Sequence, residues 1–276
     1  MDRIRLIASD MDATLLDEQS QLPADFEETI HALAELSIRF APASGRPLYT
    51  LEAMFPTLQD ELVFIGDNGG AIRWKGQNLF TSEMSPEGWR ALNRLTREQG
   101  DIAVLCGLES AYVERPFAVH DAVLRHFYTK IEYVDRLEDV TAPADKFTIY
   151  LPQHNAQQAY DTVYASQRSI YSVAVAGECW VDIMNPGVHK GAALQTLGQL
   201  WGLPSESIMA FGDTYNDAEM LQTVRYGFLM ENGSEPLRQK VPFLAPSHRE
   251  AGVMQVLHRV LAQNGCVCPE DFIPAH

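Results

Sequence analysis

The feature that most constrains this chain is the switching period of its apolar residues. Ile4–Ser9 is a short apolar run that stops at Asp10 and reads as a buried parallel strand. Residues 24–36 carry Phe26, Ile30, Leu33 and Leu36, the stripe of a helix. Ile38–Ala43 is a second strand run. It ends at Ser44-Gly45-Arg46-Pro47, where the proline suits the first turn of another helix. Leu62–Ile65 is a third, followed by the turn signal Gly66-Asp67-Asn68-Gly69-Gly70. The alternation returns with a helix at His189–Trp201, a strand at Ser207–Phe211 ending in Gly212-Asp213, and helices at Asn216–Val224 and Arg249–Leu261. Strands and helices in alternation predict a doubly wound, mainly parallel, Rossmann-like sheet.

The middle of the chain reads differently. Ser85 and Pro86 suit the N-cap and first position of a helix. Strand runs follow at Ile102–Leu105, Lys146–Leu151, Tyr171–Ala176 and Trp180–Met184, and a mixed sheet with two helices on one face fits them. The expected organisation is a core of residues 1–82 and 187–276, with an inserted α/β cap domain at 83–186.

A net charge of −16 argues against a duplex nucleic-acid partner, which wants a basic surface, but not against a small anion held by local donors and a cation. No apolar run approaches the ~20 residues needed to span a bilayer, and the start lacks a signal-peptide core, so a cytoplasmic location and no membrane partner are expected. Cys106, Cys179, Cys266 and Cys268 lack the spacing of a zinc site and read as reduced thiols.

Four constellations sit just past strands or at helix starts. Asp10 and Asp12, one residue apart, can approach one centre, and they repel unless a cation lies between them or one keeps a proton. That suits a metal-assisted nucleophile with an acid/base neighbour, and equally a solvated Asp-rich turn. Ser44-Gly45-Arg46 offers a hydroxyl, close backbone approach and a helix N-terminus, which is an anion site or an ordinary cap. Lys190 begins a helix, where the dipole disfavours a cation. It points at a phosphate or is a surface lysine. Asp213, Asn216 and Asp217 offer oxygens suited to hydrated magnesium, or a turn with an N-cap.

Taken together, Asp10-x-Asp12-x-Thr14, Ser44-Gly45-Arg46, Asn68-Gly69, Lys190-Gly191 and Gly212-Asp213-x-x-Asn216-Asp217 resemble the haloacid dehalogenase-like phosphatases. Met220-Leu221 and Met230-x-Asn232 are similar to the Cof-type sugar-phosphatase branch. The resemblance covers nearly the whole chain, with the middle matching a large cap by length and position. It implies a magnesium-dependent hydrolase of small phosphorylated metabolites, sugar phosphates among them. Asp10 would attack phosphorus, and Asp12 would protonate the leaving oxygen and then deprotonate water. Ser44 and Lys190, with Gly45, Arg46 and Asn68 beside them, would hold the phosphoryl oxygens. Magnesium would take Asp10, the Asp12 carbonyl and Asp213, with Asn216 or Asp217 nearby. Ala13 stands where that family usually has glycine, which matters if the residue needs a positive φ. A phosphomutase or phosphotransferase would use the same intermediate. A silent sugar-phosphate-binding regulator would have little reason to keep Asp12. Leaving-group contacts are expected from the cap, with His120, Glu178, Trp180 and Asp182 as candidates that also read as structural residues.

Overall fold

A computed structural model describes all 276 residues. The parallel sheet has six strands in the order 273–274, 243–245, 226–230, 208–212, 6–9, 39–42. Only the pairing of Ile273–Pro274 with Phe243–Ala245 is antiparallel, and the rest are parallel. The expected doubly wound sheet is therefore present. Its central strands are buried along their whole length because helices cover both faces. Strand alternation sorts the core into two layers. Ile7, Met209, Phe211 and Phe228 pack with Phe26, Ile30, Leu33, Val253 and Leu257 from two helices. Leu6, Ala8, Ile208 and Ala210 pack on the other face with Ala193, Leu194, Leu197, Met220 and Leu221.

The register of this sheet sets up the site. Leu6 pairs with Ile208 and Ser9 with Phe211, so Asp10 and Asp213 leave neighbouring strands at one edge. Pro42 pairs with Ser9, which brings Ser44 to the same edge.

The Leu62–Ile65 run forms a strand at Val63–Gly66, and Ile65 makes one parallel bridge to Ala43. It then departs from the expected plan. It heads a separate antiparallel sheet with Ala71–Trp74 and Gln77–Thr81. The chain reverses twice to do so, first at Asp67-Asn68-Gly69 and then in a tight hairpin at Lys75-Gly76, all with positive φ.

Between residues 84 and 184 a second sheet has the order 172–175, 180–184, 144–150, 102–107, 111–114, 131–134. All pairs are antiparallel except the last. Helices Pro86–Gln99 and Ala156–Thr162 bury Trp89, Leu92, Ala156 and Ala159 against one face. The first starts where Ser85 Oγ accepts the Gly88 N–H at 3.1 Å. The other face carries Val104, Cys106, Tyr128, Tyr150 and Trp180, and Tyr49 from the first sheet's side packs among them. No helix is long and apolar enough to cross a membrane.

The two crossings between the sheets run side by side. Asn185 Nδ2 donates to the Ser82 carbonyl at 3.2 Å, Ser82 Oγ at 3.1 Å and the Glu83 carbonyl at 2.8 Å. One amide thus clasps both linkers. Asn185→Ala is expected to cost about 1–2 kcal/mol of stability and to speed proteolysis at residues 82–86, as net hydrogen-bond values suggest. Thermal unfolding and limited proteolysis check both, and an unchanged cleavage rate would remove the clasp role.

Candidate active site

Asp10 follows strand Leu6–Ser9, and its backbone N–H is fixed by the Phe211 carbonyl at 2.9 Å. Asp213 follows strand Ile208–Gly212. Lys190 opens helix Lys190–Trp201, N-capped by His189, whose Nδ1 accepts the Ala192 N–H at 3.1 Å. Lys190 is fully buried, and its Nζ donates to Asp10 Oδ1 and, at 2.7 Å, to Asp217 Oδ1. Asp217 Oδ2 accepts the Asp213 and Thr214 N–H groups at 3.0 and 3.2 Å, closing the turn after the strand. Carboxylate oxygens of Asp10, Asp213 and Asp217 lie within 4.8 Å of one another.

The electrostatics of this group are frustrated. Burial, then the charge of Asp217, raises the Asp10 carboxyl well above its ordinary value, even though Lys190 pulls it down. Burial and Asp217 push Asp213 up to about 6. Burial works against the Lys190 charge, but Asp10 and Asp217 outweigh it and its pKa rises. Three carboxylates therefore share one ammonium. The remaining negative charge suits a cation, and the donors are all oxygens, the set that hard divalent ions prefer. Magnesium fits these residues.

The other expected residues surround this centre. The Asp12 carboxylate stands outside the group of three. It is 58% exposed and takes Arg46 Nη2 on both oxygens, at 2.8 and 3.1 Å. Ser44 is buried, and its Oγ accepts the Arg46 N–H at 3.1 Å. Gly45 lies against Asn68, where a Cβ would sit 3.2 Å from Asn68 Oδ1. Asn216 also turns away from the three carboxylates. Its Nδ2 donates to Asn68 Oδ1 at 3.4 Å, and its Oδ1 accepts the Thr214 hydroxyl at 2.6 Å.

A cavity of about 580 Å³ opens over these residues, bounded by Asp10, Ser44 and Arg46 below and by Phe127, Trp180 and Asp182 above. Of the four cap candidates, Trp180 and Asp182 line it. Glu178 is an exposed partner of His154 at 3.2 Å. His120 packs edge-on against Tyr150, with ring centroids 5.4 Å apart. Lys146, Thr148 and Tyr128 also line the cavity and are not among the residues expected there. Strand Ala144–Tyr150 carries Asp145, Lys146 and Thr148 among its apolar residues, so Lys146 does not stand out in it.

The sequence profile of the haloacid dehalogenase-like hydrolases matches residues 7–257. The chain belongs to that family. Among its curated relatives, a 5-amino-6-(5-phospho-D-ribitylamino)uracil phosphatase, YbjI, of Escherichia coli is 31% identical over 94% of this chain and 96% of its own. An HMP-PP phosphatase of Cronobacter sakazakii is 30% identical over 87% of this chain and 89% of its own. Among solved structures, a Streptococcus mutans protein superposes with a TM-score of 0.84 at 28% identity, over 94% of this chain and 99% of that one. This haloacid dehalogenase-like chain is thus a phosphatase of the Cof type.

Ala13 is where the chain departs from the usual phosphatase loop, and its φ is +58°. Its carbonyl accepts Asn232 Nδ2 at 2.8 Å, and Asn232 Oδ1 in turn accepts the His248 N–H at 3.0 Å. The loop is held in this conformation from outside. A left-handed non-glycine residue costs about 1–2 kcal/mol. Glycine would lose about 0.4–1 kcal/mol by loosening the unfolded chain. The first exceeds the second, so Ala13→Gly is expected to stabilise the protein by about 0.5–1 kcal/mol, raising Tm by about 1–4 °C. A calorimetric Tm below wild type would show that the loop is not strained.

Proposed function

We propose that this chain is a magnesium-dependent phosphatase of phosphorylated sugars and related small metabolites, working through an aspartyl phosphate on Asp10. The observation that carries the reading is the buried group of Asp10, Asp213, Asp217 and Lys190 at the floor of a capped cavity. Bound magnesium would be held by Asp10, Asp213 and Asp217, and would offset the repulsion between Asp10 and an incoming phosphate dianion.

Asp10 attacks phosphorus in line, the bond from phosphorus to the leaving oxygen breaks, and that oxygen takes a proton from Asp12. Asp12 must first swing in from Arg46, which holds it at the cavity edge in the resting arrangement. Water then attacks the aspartyl phosphate, Asp12 accepts its proton, and Asp10 returns as a carboxylate with release of inorganic phosphate. Lys190 and the Ser44 hydroxyl bind phosphoryl oxygens, and Lys190 also keeps Asp10 pointed into the cavity. Phosphoryl transfer depends mainly on such positioning and charge neutralisation.

Two features support a small polyhydroxylated leaving group. Trp180 offers a flat apolar wall, braced by Phe127 with centroids 5.0 Å apart. Asp182 beside it accepts from Thr148 and Asn68, and a carboxylate's further lone pairs remain for a substrate hydroxyl. Both curated relatives described above are named for small phosphorylated substrates, one carrying a phospho-D-ribityl group.

Asp10→Asn keeps the shape and removes the attacking charge. Phosphate release from a panel of sugar phosphates is expected to fall by about three or more orders of magnitude with circular dichroism unchanged, since nucleophile and base act as a unit. Wild-type turnover in this variant would refute the covalent route. Chelation by EDTA is expected to abolish phosphate release and excess magnesium to restore it. Zinc should restore little, because no Cys or His joins the oxygen donors. Full activity in metal-free buffer would remove the metal from the reading.

A further inference from the structure

Three consecutive carbonyls of the Ser44–Arg46 loop are gripped from behind. Ser44 O accepts the Asn68 N–H at 2.9 Å and Arg46 O accepts the Asp67 N–H at 2.9 Å. Gly45 O accepts Lys146 Nζ at 2.6 Å. The first two donors belong to the same side of the molecule as the loop. The third comes from strand Ala144–Tyr150 of the other sheet.

A trans peptide points its N–H opposite to its C=O. Holding Gly45 O therefore aims the Arg46 N–H the other way, and that N–H donates to Ser44 Oγ at 3.1 Å. With one lone pair of its oxygen occupied, the Ser44 hydroxyl is turned to donate its own proton elsewhere, and Ser44 lines the cavity. Holding Ser44 O likewise frees the Gly45 N–H, which has no acceptor in the protein.

Lys146 is well fixed for such a task. It is 2% exposed, and besides donating to Gly45 O it pairs with the carboxylates of Asp67 at 3.0 Å and Asp182 at 3.5 Å. Asp145, next to it, is raised well above its ordinary range by burial and by the charge of Asp67. Asp182 extends the grip, accepting Thr148 Oγ1 at 2.7 Å and Asn68 Nδ2 at 3.2 Å.

We infer that Lys146 is a positioning residue of the phosphoryl site: from the cap sheet it anchors the Gly45 peptide, so that the Ser44 hydroxyl and the Gly45 amide are aimed at the phosphoryl oxygens only while the cap is seated. Phosphate grip and cap seating are then one event. The inference rests on the assignment of Ser44 to the phosphoryl group made above.

Inorganic phosphate is the probe, with magnesium present. In amide NMR spectra of the wild-type protein, saturating phosphate is expected to shift the Gly45, Asp213 and Lys190 resonances together with the Lys146 ammonium. Lys146→Met combined with Asp182→Asn removes one charge of each sign. This variant is expected to raise the inhibition constant of phosphate and the KM by tenfold or more, with magnesium half-saturation within twofold of wild type. Lys146→Gln, which keeps a donor, should recover part of that loss. A folded double variant with a phosphate inhibition constant within twofold of wild type overturns the inference. So does a wild-type spectrum in which Asp213 and Lys190 move while Gly45 and Lys146 stay still, and this decides the matter if the variants do not fold. If none of the four moves, the phosphatase site itself has been misplaced and the broader reading falls with it.

Discussion

Lys190 has no exposed surface, and its ammonium is divided between Asp10 and Asp217, each delivered by a different element. Taking such charges out of water costs several kcal/mol per ion unless geometry and hydrogen bonding are close to ideal. The fold supplies that geometry through register. A slip of one residue between Leu6–Ser9 and Ile208–Gly212 would turn Asp10 to the wrong face and exchange the two apolar layers. Backbone contacts tighten the same constraint. A Cβ on Gly191 would lie 2.7 Å from the Glu219 carbonyl carbon, so the two helices behind the site approach at a distance that only glycine permits. With Asp213 beside them, three carboxylates face one ammonium, and the arrangement remains short of two positive charges. That deficit is what makes the floor of the cavity receptive to a divalent ion.

Much of the fold was legible because strand ends are punctuated in this sequence. The expected bounds of Trp180–Met184 match the strand, and helix Pro86–Gln99 begins behind a working Ser85 cap. The hairpin through Lys75-Gly76 was missed because a lysine adopting positive φ leaves no compositional trace. Strands Ala111–Glu114 and Ile131–Val134 escaped for another reason. They lie at the rim of the cap sheet, half-buried, and their pattern resembles that of a loop.

The site shows a similar division. Asp10, Asp213, Asp217 and Lys190 come together because each directly follows or opens a regular element, so chain order foretells their meeting. The direction of the Asp12 side chain toward Arg46, and that of Asn216 toward Asn68, depends on partners distant in sequence. Lys146 was invisible for the same reason. In Lys-Phe-Thr-Ile-Tyr a lysine reads as the solvent side of an amphipathic strand, and only the approach of Gly45, about a hundred positions earlier in the chain, makes it an interior residue.

The strand pairing at the centre of the parallel sheet also sets an order of events during synthesis. Strand Leu6–Ser9 finds its central partner only when residues 208–212 have been made. At about 5–20 residues per second, the first strand waits roughly ten to forty seconds outside the ribosome. The sheet of residues 102–184 is continuous in sequence, and all its strands emerge before residue 185. It can therefore be complete while the strands before it in the chain are still a loose N-terminal segment. When the last third of the chain arrives, the Lys146 ammonium is already mounted on a finished surface, and the Ser44–Arg46 loop closes onto it.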